Sequence, residues 1–171
     1  MTDFRNFISI KTNDNITTKV EKKFLTKCDI FNKLFEDEQD NEQEDISVFL
    51  LNAYNNTILD IFIKYCVMHE NIPHKDIRHP ITNDIYMNDI SQKDRVFMKN
   101  LDTKTIYELI NLANFVGNNE LLELCSAIIA FDFNINNDSV DTLRQKLNIV
   151  NDFTEEEEEQ IRKDNAWCED D

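Results

Sequence analysis

The chain has 171 residues, 41% of them hydrophobic, enough for one core or for one domain with an appended helical piece. Its 18 Lys and Arg stand against 34 Asp and Glu, a net charge of −16 that repels phosphate backbones and anionic lipid, so neither nucleic acid nor a membrane surface is expected as a partner. A single glycine, Gly117, where average usage would give roughly 12, excludes the glycine-rich phosphate loops.

Ile8, Ile10 and Thr12 alternate with polar residues, as do Ile16, Thr18 and Val20, with Asn13-Asp14-Asn15 between them. This pattern predicts a hairpin with one buried face. Phe24, Leu25, Cys28, Phe31, Leu34 and Phe35 then recur at helical steps, with a break expected near Asp29. From Glu36 to Asp45 there are seven acidic residues and no basic or large apolar ones, which reads as a solvated loop. Ile46, Val48 and Leu50 mark a third strand, and residues 55 to 69 a helix apolar nearly all round and therefore central. Residues 70 to 92 hold both prolines and no sustained period, and are expected to be a long loop, disordered or inserted.

Asp102 is placed to cap the next helix, with Leu101 and Ile106 as its hydrophobic staple. Ile106, Leu109, Ile110, Ala113 and Val116 form its inward stripe. Glu108, Asn111 and Asn114 look outward, and Leu112 and Phe115 stand at the border. After Gly117, a second buried helix carries Leu121, Leu122, Leu124, Cys125, Ile128, Ile129 and Phe133, ending at a turn over Asn134 to Asn137. Asp138 or Ser139 can cap a shorter helix with Val140, Leu143 and Leu147. Strands mixed with helices, then helices only, define an α+β domain over 1–116 followed by a helical extension over 117–171.

The last helix is the most locally encoded. Thr154 and Glu157 have capping-box spacing, and acidic residues 155 to 159 load the positive end of the helix dipole. Glu158 with Arg162 and Glu159 with Lys163 add pairs one turn apart. Yet the only large apolar residue from Thr154 to Asn165 is Ile161. Phe153 precedes the helix, and its staple position, N4, is Glu158. Trp167 follows the helix. Two aromatics on a charged helix either anchor another surface or fold back on this chain's own core.

Chemistry is absent from the motifs. Cys28, Cys66, Cys125 and Cys168 form no C-x-x-C pair and read as reduced structural thiols. Cys66, His69, His74 and His79 match no zinc-ligand spacing, so no metal, and no other cofactor, is expected. No Ser or Cys stands in a nucleophile elbow, and carboxylate pairs in so acidic a chain select nothing. The chain is therefore read as no enzyme. No apolar run approaches a membrane span of roughly 18 residues and the start lacks a signal peptide, so a cytoplasmic and nuclear location is expected. The residues alone support an acidic domain whose tail offers aromatics to a partner, or a self-assembling module, a weak homodimer when unliganded.

The tail carries a resemblance. Asn148-Ile149, Asn151 through Glu158, Gln160, Arg162-Lys163, Asn165 and Trp167-Cys168-Glu169 resemble the C-terminal signature of the S-phase-kinase-associated protein family, the small adaptor of SCF ubiquitin ligases. Ile8-Ser9-Ile10-Lys11, Thr105 through Ile110 and Ala113-Asn114-Phe115 agree with it. The resemblance implies a BTB/POZ-like domain with a C-terminal helical extension that bridges a cullin and an F-box protein. On the family's pattern, Asn114 and Phe115 look like the cullin-contacting pair, with Phe in place of the more usual Tyr. Phe97, Met98, Leu101, Tyr107, Ile110, Ile149, Phe153, Trp167 and Cys168 look like part of the F-box groove. The chain departs from the pattern at Lys93, where the family usually has Trp, and at Val116 to Asn119, where it usually has Leu-Asp-Ile-Lys. The resemblance thus also leaves room for a divergent adaptor that binds F-box proteins without a cullin.

Overall fold

The computed structural model describes residues 6–40, 48–73, 75–135 and 140–168, which belong to two compact units, Met1–Asp132 and Phe133–Asp171. In the first unit, β1 (Phe7–Thr12) and β2 (Thr17–Glu21) form the expected antiparallel hairpin, with Ile8 opposite Val20. Asn15 takes the left-handed conformation in the turn (φ 63°), which a short amide side chain tolerates. A third strand, β3 (Val48–Leu51), runs parallel to β1 and completes a sheet of order β2-β1-β3.

The register of β3 inverts the face suggested by the alternation of Val48 and Leu50. Pairing sets Phe49 beside Ile10 and Leu51 beside Thr12, so Phe49 and Leu51 turn inward while Val48 and Leu50 are exposed. Neighbouring residues of a strand point to opposite faces, and the partner strand decides which set is buried. Ile46 lies outside the described residues.

A short 3-10 helix (Lys22–Leu25) and α1 (Asp29–Asp40) flank the expected break. The first five residues of the expected acidic loop are helical instead. Residues 36–40 continue α1 beyond Phe31, Leu34 and Phe35, which pack against the core, and 41–47 lie outside the described residues. The Asn55 side chain caps α2 (Asn56–Met68), accepting from Ile58 N. α2 is central, burying Ile58, Leu59, Phe62, Tyr65 and Cys66 at helical steps.

The segment 70–92 is not a structureless loop. Ile77, Ile81, Ile85 and Ile90 are buried, and Thr82 caps α3 (Asn83–Asn88). Asp89 accepts from Arg78 in a two-pronged pair at 2.8 and 3.0 Å. Arg95 donates to the carbonyls of Tyr86, Met87 and Ile90 at 3.1, 2.7 and 2.6 Å. Ser91 then caps α4 (Gln92–Lys99), a helix not foreseen. These side chains satisfy the backbone groups that an irregular segment would leave open.

Asp102 caps α5 (Thr103–Val116) as expected, accepting from Thr105 N at 2.8 Å. Leu112, placed at the border by the sequence, is fully buried, whereas Phe115 is half exposed. Gly117 ends the helix in the left-handed conformation (φ 72°), and Asn118 N returns to Ala113 O at 2.8 Å. A Cβ at position 117 would come within 2.8 Å of Asp29 Cβ, so the position excludes other residues sterically as well as conformationally.

Asn118 starts α6 (Asn119–Ile135), accepting from Leu121 N and donating to Cys28 Sγ. Leu121, Leu124 and Cys125 of α6 join the core of the first unit, so the compact unit runs past the boundary expected at 116/117. Of the turn expected over Asn134 to Asn137, the first two residues end α6 and the rest lie outside the described residues, as do Asp138 and Ser139. The second unit continues with α7 (Val140–Leu147), α8 (Glu155–Asp164) and a closing 3-10 turn (Ala166–Cys168). The architecture is α+β, a small sheet with mostly helices.

Candidate partner-binding surfaces

The capping box of α8 is complete. Glu157 N donates to Thr154 Oγ1 at 3.3 Å, and Thr154 N donates to Glu157 Oε2 at 2.9 Å. That backbone bond, with the Thr154 hydroxyl, holds the Glu157 carboxyl below its ordinary range. Lys163 pairs with Glu159 at 2.8 Å and Arg162 with Glu158 at 4.0 Å, as the spacing predicts. Glu158 has two further partners that no local rule indicates: Asn151 donates at 2.8 Å and Arg144 at 3.0 Å. These lower its pKa, Asn151 first and Arg144 next. The position that would carry the staple's apolar residue is thus a charged clasp between α7 and α8.

That clasp leaves the apolar residues of the tail to solvent. No residue of α8 is buried. Phe153 is 49% exposed and Trp167 76%, and Ile149 and Ile161 of the same unit are exposed as well. Cys168 ends the closing turn.

In the first unit, the remaining residues assigned by resemblance to F-box contact lie on and after α4 and on α5. Phe97, Leu101 and Ile110 are half-buried and Tyr107 is 43% exposed. Met98, at 1% exposure, is a core residue beneath them rather than a surface contact. Asn114 and Phe115 are both exposed at the end of α5. The Phe115 ring lies 6.5 Å from Phe49 and 6.4 Å from Tyr54, and Phe49 lies 5.0 Å from Phe31. Phe115 is therefore the solvent end of an aromatic row that runs into the core.

Of the four residues weighed as metal ligands, Cys66 is buried, His69 is bonded to Asp94 at 2.7 Å, His79 is exposed, and His74 lies outside the described residues. Among the described residues no group of three or more His, Cys, Asp or Glu could hold an ion. Cys28, Cys66 and Cys125 are free, buried thiols, and burial pushes Cys125 up to about 12. What this chain presents is apolar and aromatic surface on scaffolds with local order, which suits recognition of a protein. Sequence reasoning missed α4 and the buried His69–Asp94 pair. The signal available was Ser91-x-x-Asp94, a helix start of the S-x-x-D kind.

The family model described as "Skp1 family, dimerisation domain" matches residues 119–168, spanning α6 to the closing turn. A relative from Arabidopsis thaliana named "SKP1-like protein 8" is 33% identical over 162 residues, 94% of this chain and 95% of that protein. "Skp1-related protein" of Caenorhabditis elegans is 35% identical over 172 residues, covering 95% and 92%. "SCF ubiquitin ligase complex protein SKP1a" of Dictyostelium discoideum is 31% identical over 165 residues, covering 96% and 97%. This chain belongs to the Skp1 family, whose fold is a BTB/POZ-like domain with C-terminal helices.

Proposed function

We propose that this chain is a non-catalytic adaptor of an SCF-type E3 ubiquitin ligase, holding an F-box substrate receptor and a cullin scaffold at once. The observation that carries the reading is the tail: Phe153 and Trp167 stand exposed at the two ends of a helix that buries nothing. The name of the Dictyostelium relative, an SCF ubiquitin ligase complex protein, supports the same assembly. Ile149, Phe153, Trp167 and Cys168 of the second unit and Phe97, Leu101, Tyr107 and Ile110 of the first would contact the F-box, with Met98 supporting the first set from beneath. Asn114 and Phe115 would contact the cullin. An F-box supplies the apolar cover that the tail lacks, and that burial offsets the cost of immobilising the tail.

No cofactor enters this role, and a chain of charge −16 would act without nucleic acid or lipid, in the cytoplasm and nucleus. No helix among the described residues is long and apolar enough to cross a membrane. The departures at Lys93 and at Val116 to Asn119 favour a second reading, F-box binding without a cullin. Both are tested by passing the chain over a column bearing an F-box domain and then adding a cullin N-terminal fragment. Retention of both the chain and the cullin fragment supports the adaptor, and retention of the chain without the cullin fragment supports the second reading. Retention of neither, with the mass of a dimer by light scattering, makes the chain a self-associating module.

A further inference from the structure

His69 and Asp94 are 8% and 7% exposed, an acid and a base enclosed in the first unit without a role in any contact above. Burial works to raise the Asp94 carboxyl, and bonds from His69 and then Ser91 outweigh it, so its pKa lies below the ordinary value. The carboxylate divides its oxygens: Oδ1 meets His69 Nε2 at 2.7 Å, and Oδ2 accepts from Ser91 Oγ at 2.7 Å. Asp94 N in turn donates to Ser91 Oγ at 3.1 Å. One side chain therefore completes the start of α4 and ties it to the end of α2.

The other half of the tie is equally fixed. His69 follows α2 directly, its N–H donating to the carbonyls of Tyr65 and Cys66, and its ring stacks on Tyr65 with centroids 4.2 Å apart. The Tyr65 ring is 6.3 Å from Phe97, which lies one turn along α4 from Asp94. Apolar packing alone lets a helix of eight residues slide or rotate among near-equal positions. A directional bond to a buried carboxylate does not, because breaking it strands that carboxylate away from water.

We propose that His69 is a positioning residue for partner recognition: its bond to Asp94 sets the rotation of α4 and with it the presentation of Phe97 and Leu101. The partner named in this inference rests on the F-box reading above; the anchoring of α4 does not.

The test compares His69→Leu, which removes the donor, with His69→Gln, whose amide N–H can reach the same oxygen. Amide exchange is followed across residues 56–68 and 92–99 of the free chain, and affinity is measured for a purified F-box domain. The Leu variant is expected to speed exchange in 92–99 by tenfold or more, to leave 56–68 within threefold, and to weaken F-box binding by tenfold or more. The Gln variant is expected to stay within threefold of the unaltered chain throughout. Asp94→Asn, which keeps the shape but weakens the charge-assisted bond, gives the same pattern at reduced size if the Leu variant does not fold. Unchanged exchange in 92–99, equal loosening of both segments, or a Gln variant as impaired as Leu overturns the proposal. If the unaltered chain does not bind the F-box domain, the functional reading fails, and the exchange data decide the anchoring by the same criteria.

Discussion

Replacing Trp167 by Ala separates an anchor for a partner from a residue of this chain's own core. An enclosed indole buries on the order of 200 Å², and Trp167 is 76% exposed, so roughly 150 Å² remains for a partner to cover. At about 25 cal/mol per Å² this burial is worth about 4 kcal/mol. Immobilising the side chain costs about 1 kcal/mol, and the alanine methyl keeps a little of the contact. Trp167→Ala should therefore weaken F-box binding by about 2–3 kcal/mol, a factor of roughly 30 to 150. The urea midpoint of the free chain should not move, because so exposed a ring supports little of the native state. Titration calorimetry against an F-box domain gives the first quantity and urea denaturation the second. Unchanged affinity would refute the anchor, and a stability loss matching the affinity loss would return the indole to the chain's own fold.

On the other surface, Asn114→Lys should weaken binding to a cullin N-terminal fragment while F-box affinity stays within twofold by calorimetry; equal loss of both would indicate misfolding. Gly117→Ala should lower the denaturation free energy by about 2 kcal/mol, since alanine meets both an unfavourable positive φ and Asp29 Cβ at 2.8 Å. An unchanged urea midpoint would contradict this. The Arg78 pair holds Asp89 at about 2, below its ordinary 3.8. A depressed folded-state pKa contributes stability that is present above the unfolded value and is lost as pH falls through the folded one. Asp89→Asn should therefore lower the thermal midpoint at pH 6, with the deficit shrinking between pH 4 and pH 2. A deficit that persists undiminished at pH 2 would sink that assignment.

What could be read from the sequence is what depends on near neighbours. Thr154, Glu157 and the acidic first turns fix the start of α8 within a few residues, and Asp102 with Leu101 and Ile106 does the same for α5. The exposure of Phe153 follows from finding Glu158 where its apolar partner would be. What could not be read depends on distant partners. Segment 70–92 is ordered by Arg95 reaching back to three carbonyls, by Asp89 and Arg78 eleven positions apart, and by His69 and Asp94 twenty-five apart. No local period records such bonds. Strand β3 erred for the same reason, since Val48 and Leu50 alternate correctly while β1 selects the opposite face for burial. Glu158 was legible as an interruption of the staple, but Arg144, fourteen positions back, was not legible as its partner.

The central claim is that the tail gains cover from a second polypeptide. Amide exchange over residues 150–168, measured for the free chain and again with a saturating F-box domain, tests it directly. The account predicts rapid exchange beyond the capped turns of α8 in the free chain and strong slowing across Phe153 to Trp167 in the complex. Full protection of the same amides in the free monomer, unaltered when the F-box domain is added, would contradict it.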